Sequence, residues 1–177
     1  MPATFTLFQD MSLSWRVAVF DGEPEKRPDA GADSNPAYAA HIHSRKFEMT
    51  KSSGTSQVSC LEGKFEGLTQ RRIVIRGAGV VSTGKMACRG NSVGWTFVHL
   101  ANEYKWVAPM FSKAWELTDA SGRIIATFDR YLHKLRTAGV LRIVDGAVDD
   151  TFESLIVLTA IIVSQTVVFH ESAVVGS

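Results

Sequence analysis

The clearest regularity in the chain is a period of two that begins near Gly94. Trp95, Phe97 and His99 fall on one side of an extended backbone, and Thr96, Val98 and Leu100 fall on the other. Residues 101–103 turn the chain, Tyr104 and Trp106 return on one face, and Trp115 and Leu117 continue the pattern. Residues 119–122, Asp-Ala-Ser-Gly, read as a hairpin turn, after which Ile124, Ala126 and Phe128 alternate with Ile125 and Thr127. Residues 139–144 supply a last strand. Earlier in the chain the same style appears in shorter pieces. Residues 4–8 and 14–20 form a first pair closed by the Asp21-Gly22 turn, and residues 38–50 resume after a gap. Residues 57–61, 65–68 and 71–76 read as short strands broken by Gly63 and Gly67. In the last of these, Arg72, Val74 and Arg76 share one face and Ile73 and Ile75 the other. Gly77, Gly79, Gly84, Gly90 and Gly94 read as turn glycines.

One stretch breaks this style. In residues 152–169, Leu155, Ile156, Val157, Leu158, Ala160, Ile161, Ile162 and Val163 cover every face of a helix, which leaves no solvated side. Glu153 follows Asp150 by three residues, the spacing of a capping box. Such a helix has to be enclosed by lipid or by protein. Its length of about 27 Å falls short of a hydrocarbon core of about 30 Å. Ser164, Gln165 and Thr166 interrupt it, and no Lys or Arg cluster flanks it. The pattern therefore predicts a rod buried inside the protein's own sheet, with a membrane tail anchor as the alternative. About a dozen short antiparallel strands remove their open edges best by closing into a barrel.

With 177 residues, one domain over 1–177 is expected, and 45% hydrophobic and 21% charged residues are ordinary for a globular chain. Residues 23–36 are proline-rich, polar and without apolar periodicity, which predicts a flexible surface loop. A net charge of +1 provides no global field, so any electrostatic partner must meet a local patch. The first residues lack the basic start and apolar core of a secretory leader, and Cys60 and Cys88 are the only cysteines. A cytoplasmic address is the expectation.

Motifs for chemistry are sparse. Residues 77–85, GAGVVSTGK, lack the Ser or Thr of a phosphate loop after Lys85, where Met86 stands instead. No Gly-x-Ser-x-Gly elbow occurs. His41, His43, His99, Cys60 and Cys88 offer zinc-type ligands but no close pair at ligand spacing, so neither a metal nor a cofactor is expected. Trp95, Phe97, Trp106 and Trp115 suit a core better than a base-stacking platform. The chain is thus expected to be non-enzymatic, with an enzyme that uses an unrecognised pocket as the alternative. Its one electrostatic candidate is a basic group of Arg71, Arg72 and Arg76, joined by Lys85 and Arg89, whose guanidinium forks suit phosphate oxygens. The expected ligand is an anionic phospholipid headgroup met peripherally at a membrane surface, or else a protein partner; nucleic acid is not expected.

The segment YKWVAPMFSKAWELTDASGRIIATFDRY, residues 104–131, carries a resemblance. A tryptophan strand, a Trp-Glu-Leu strand, an Asp-x-Ser-Gly turn, an Ile-Ala strand, then Gly-Val-Leu-Arg-Ile and a terminal apolar helix resemble the tubby C-terminal-like superfamily. Within it the chain is similar to a fungal branch labelled a domain of unknown function, with Asp21-Gly22 after an early strand, Tyr104-Lys105-Trp106, and Ile156, Val157 and Thr159 in the helix. The resemblance implies a closed antiparallel barrel wrapped around a central C-terminal helix over about residues 151–169. Its relatives include phosphoinositide-binding tubby proteins, plant LURP-one-related proteins and phospholipid scramblases. The resemblance therefore implies a lipid-binding barrel module, or alternatively a membrane-anchored, scramblase-like protein.

Overall fold

The computed structural model of the chain describes residues 2–10, 15–23, 35–43, 45–66, 72–77, 80–89, 92–108, 114–131, 137–144 and 148–174. The fold is mainly β: antiparallel strands in one sheet, with one C-terminal helix. The strands are β1 (Ala3–Asp10), β2 (Trp15–Asp21), β3 (Tyr38–His43), β4 (Lys46–Ser53), β5 (Ser56–Glu66) and β6 (Arg72–Gly77). They continue as β7 (Val80–Arg89), β8 (Ser92–His99), β9 (Asn102–Val107), β10 (Ala114–Asp119), β11 (Ile124–Arg130) and β12 (Thr137–Ile143), and α1 spans Asp150–Val174. Each strand pairs with its neighbours in sequence. β1 pairs with β2 and also with β12, in register from Ala3↔Ile143 to Phe8↔Thr137.

Alternation builds one apolar face. In β3, Tyr38, Ala40 and Ile42 are buried while His41 and His43 are exposed; in β6, Ile73 and Ile75 are buried between exposed Arg72 and Arg76. Trp95 and Phe97 in β8, Trp106 in β9 and Trp115 and Leu117 in β10 join the same core, as their spacing predicted. That core includes α1. Residues 155–163 are all buried, and Thr159, at 6%, is the most exposed of them. No solvated side exists for these residues because none of their side chains could use one. The indole Nε1 of Trp106 donates to Thr159 Oγ1 at 3.0 Å, so a strand and the helix are pinned together inside the core. Among the described residues no helix is long and apolar enough to cross a membrane.

Neighbouring strands alternate in direction, which sorts the connections onto two rims. One rim carries the end of β3, the start of β4, the end of β5 and the start of β6. The other carries the β4–β5, β8–β9 and β10–β11 turns. The first turn of α1 lies at this second rim, where Phe152 packs on Tyr104 and stacks on His99 at 4.9 Å.

Several local expectations are corrected. Gly63 does not interrupt a strand: β5 runs unbroken from Ser56 to Glu66. A Cβ at Gly63 would lie 2.3 Å from both Phe47 Cζ and Val74 O, so the glycine serves close approach, not a turn. Gly84 and Gly94 likewise sit within β7 and β8. The turn after β8 is Leu100-Ala101, starting one residue earlier than expected and one residue shorter, and both adopt positive φ, 47° and 64°. That backbone suits a two-residue hairpin but usually carries Asn-Gly, which is why the sequence hid it. Ile125 and Ala126 are both buried because a register shift at Leu117/Thr118 interrupts the alternation. The helix is longer than residues 151–169, and its cap is Asp149, whose carboxylate accepts from Phe152 N at 2.8 Å. Glu153 completes no capping box; its carboxylate accepts the Tyr38 hydroxyl at 2.6 Å. Most of the loop expected at 23–36 lies outside the described residues.

Candidate functional site

Of the basic group predicted from sequence, the side chains of Arg72 and Arg76 are described. Arg72 and Arg76 are exposed on the outer face of β6, with Arg72's side chain at 65% exposure. Lys85 stands directly opposite Arg72 in the β6–β7 register, and Arg89 ends β7; of Lys85 and Arg89 only the backbone is described. Arg71 lies outside the described residues.

The two described arginines have different surroundings. On the β5 side, Arg76 faces Glu62 and Arg72 faces Glu66. Glu66 is shared: Lys64 Nζ lies 3.0 Å from one carboxylate oxygen and Arg72 Nε 3.6 Å from the other. The hydrogen bond from Lys64, helped by Arg72 and Arg76, holds the Glu66 carboxyl below the usual carboxylate range. Glu62 in turn lies opposite Glu48. Arg76 therefore borders an acidic pair, while Arg72 borders one carboxylate, Glu66, with the cations Lys64 and Lys46 beyond it.

The sequence reading missed those cations. Lys46 lies opposite His43 on one side and Lys64 on the other. All three are exposed, and no carboxylate stands in that cross-strand row. Like charges directly opposite one another, as Lys46 and Lys64 are, weaken a sheet by a few tenths of a kcal/mol. Arg45, in the turn before Lys46, is exposed as well. The signal was present as Arg45-Lys46 and Lys64, but only the register places these residues beside Arg72.

The other rim has the opposite character. Lys51 is joined to Asp150 and lies 3.7 Å from Glu153, Arg123 Nε lies 3.1 Å from Asp119, and Asp149 caps α1. These two cations are paired with carboxylates. Asp119 also accepts from Ser121 and from the Arg123 backbone, and the Ser121 bond leads in holding its carboxyl low.

The remaining candidates have structural roles or stay apart. His41 and His43 share an outer face with ring centroids 6.2 Å apart, whereas His99 is buried against Phe152. Cys60 donates its thiol to Met49 O at 3.2 Å, and burial raises its pKa. No group of three or more metal-ligating side chains forms among the described residues. A small apolar pocket lies between β6, β7, β8 and α1, lined by Ile73, Gly84, Trp95, Phe97, Thr159 and Ile162. The buried indole N–H of Trp95, one of the lining residues, has no hydrogen-bond partner among the described residues. Comparison of the chain with protein-family models, with curated proteins and with solved structures found no match in any of the three.

Proposed function

We propose that the chain is a non-enzymatic module of the tubby C-terminal-like kind, a barrel closed around α1, that binds an anionic phospholipid headgroup peripherally at a membrane from the cytoplasm. The supporting observation is the exposed Arg72, flanked in register by Lys85 and in space by Lys64 across a shared Glu66. Arginine presents a rigid fork to phosphate oxygens, and lysines add mobile point charges around it. Each basic residue near an anionic surface contributes about 1 kcal/mol. The scramblase-like alternative needs α1 in a bilayer; the burial of residues 155–163 among the strands favours the soluble module. Cosedimentation with vesicles containing phosphoinositide is the test. The wild-type chain is expected to pellet with them, and Arg72→Glu combined with Arg76→Glu to stay in the supernatant. Undiminished binding by that double variant removes the patch from consideration.

A further inference from the structure

We propose that the surface facing an anionic bilayer is the rim formed by the end of β3, the start of β4, the end of β5 and the start of β6, with the sheet's long axis steep to the membrane. The proposal rests on the headgroup reading above and adds the orientation and the residues that set it.

The two rims differ in how their charges are used. Lys51 and Arg123, at the rim where α1 begins, are already engaged with Asp150 and Asp119. At the opposite rim Arg45 and Lys46 have no ion pair among the described residues, and Lys46 is bracketed by His43 and Lys64. A whole-chain charge of +1 gives no sign of this local difference. Charges left unpaired and facing like charges are the ones an external anion relieves.

Distance then selects the rim over the flank. Arg72 and Arg76 are four residues apart on one strand, or about 13 Å. That exceeds the screening length of about 8 Å at physiological salt. A flat surface touching Arg45, Lys46, Lys64 and Arg72 together therefore leaves Arg76 outside its field. Lying flat on β6 would instead bring Glu62 and Glu48 against the lipid phosphates. The rim meets the phosphates with one carboxylate, Glu66, and that one is occupied by Lys64.

The test uses the full chain and phosphatidylcholine vesicles doped with phosphatidylserine or with phosphatidylinositol phosphate. Arg45→Glu combined with Lys46→Glu should weaken binding by about thirty-fold or more, since two contacts of about 1 kcal/mol each are lost. Arg76→Glu alone should change it by less than about three-fold, as expected beyond the screening length. Glu103→Lys on the opposite rim should leave binding unchanged, and thermal melts of every variant should match the wild type. If Arg72→Glu with Arg76→Glu abolishes binding while Arg45→Glu with Lys46→Glu retains it, the orientation is wrong and the headgroup reading stands. A wild-type chain that ignores both vesicles but is retained by a single-stranded oligonucleotide overturns both.

Discussion

The hydrogen bond between Trp106 and Thr159 allows a direct test of the helix's position inside the sheet. Thr159→Val keeps the side chain's shape and a comparable helix propensity but deletes the oxygen that accepts the indole N–H at 3.0 Å. Trp106 is fully buried and Thr159 nearly so, leaving no route for water to take over that bond. The hydroxyl's second bond, to Ile156 O at 3.1 Å, is also lost, but that carbonyl can keep its helical partner. An orphaned buried donor costs about 1–3 kcal/mol. For a chain of this length that corresponds to a drop in Tm of roughly 2–12 °C. Urea unfolding followed by far-UV circular dichroism measures the loss. A cycle with Trp106→Phe, which removes the donor, should show a coupling of about 0.5–3 kcal/mol. Thr159→Val as stable as the wild type, with no coupling in the cycle, would mean that the indole and the helix do not meet, and the enclosed rod would have to be abandoned.

Other perturbations probe separate parts of the fold. Gly63→Ala and Gly139→Ala should each destabilise by at least about 1–3 kcal/mol, because their Cβ atoms would stand 2.3 Å from Val74 O and Asp129 O. Gly84→Ala, whose nearest neighbour would be 3.5 Å away, should be neutral or gain up to about 1 kcal/mol; a reversed order in denaturant melts would contradict the strand packing. Burial, reinforced by the Glu153 hydrogen bond, pushes the Tyr38 phenol well above its ordinary value, and the bond to Asp150 raises Lys51 despite its burial. Both groups hold their protons more tightly folded than unfolded, so stability should persist through neutral pH and fall above about pH 10. Tyr38→Phe should flatten part of that fall, and an unchanged alkaline profile would count against the network. Deleting residues 152–177 should give an insoluble product; a folded, monomeric truncation would show that the sheet does not need the rod.

The strongly periodic parts of the fold were legible because one face of each strand is buried. The spacing of Trp95, Phe97, Trp106, Trp115 and Leu117 gave the core directly, and the all-round apolar run gave the helix and its burial. Features that depend on pairing were not legible. Gly63 looked like a break because a sequence does not show Phe47 passing over it. Leu100-Ala101 concealed a tight turn because its residues are poor formers of the conformation they adopt. Glu153 sat at capping distance from Asp150, yet a tyrosine distant in sequence claims its carboxylate. The arginines of β6 stood out as a run, but whether each faces an acid or a cation is decided by β5 and β7. The Lys46 row exists only through register, so it could not be read from a linear string.

The ladder between β1 and β12 has a consequence for biogenesis. A ribosome adding about 5–20 residues per second takes roughly ten to thirty seconds to finish this chain, and for most of that time the first strand has no mate on one edge. The apolar rod is synthesised after all twelve strands, so the nascent chain must hold its greasy lining open until that segment arrives. Closure therefore waits on contacts between strands far apart in sequence, which slows folding. A premature stop codon ahead of β12 would release an aggregation-prone sheet with raw edges.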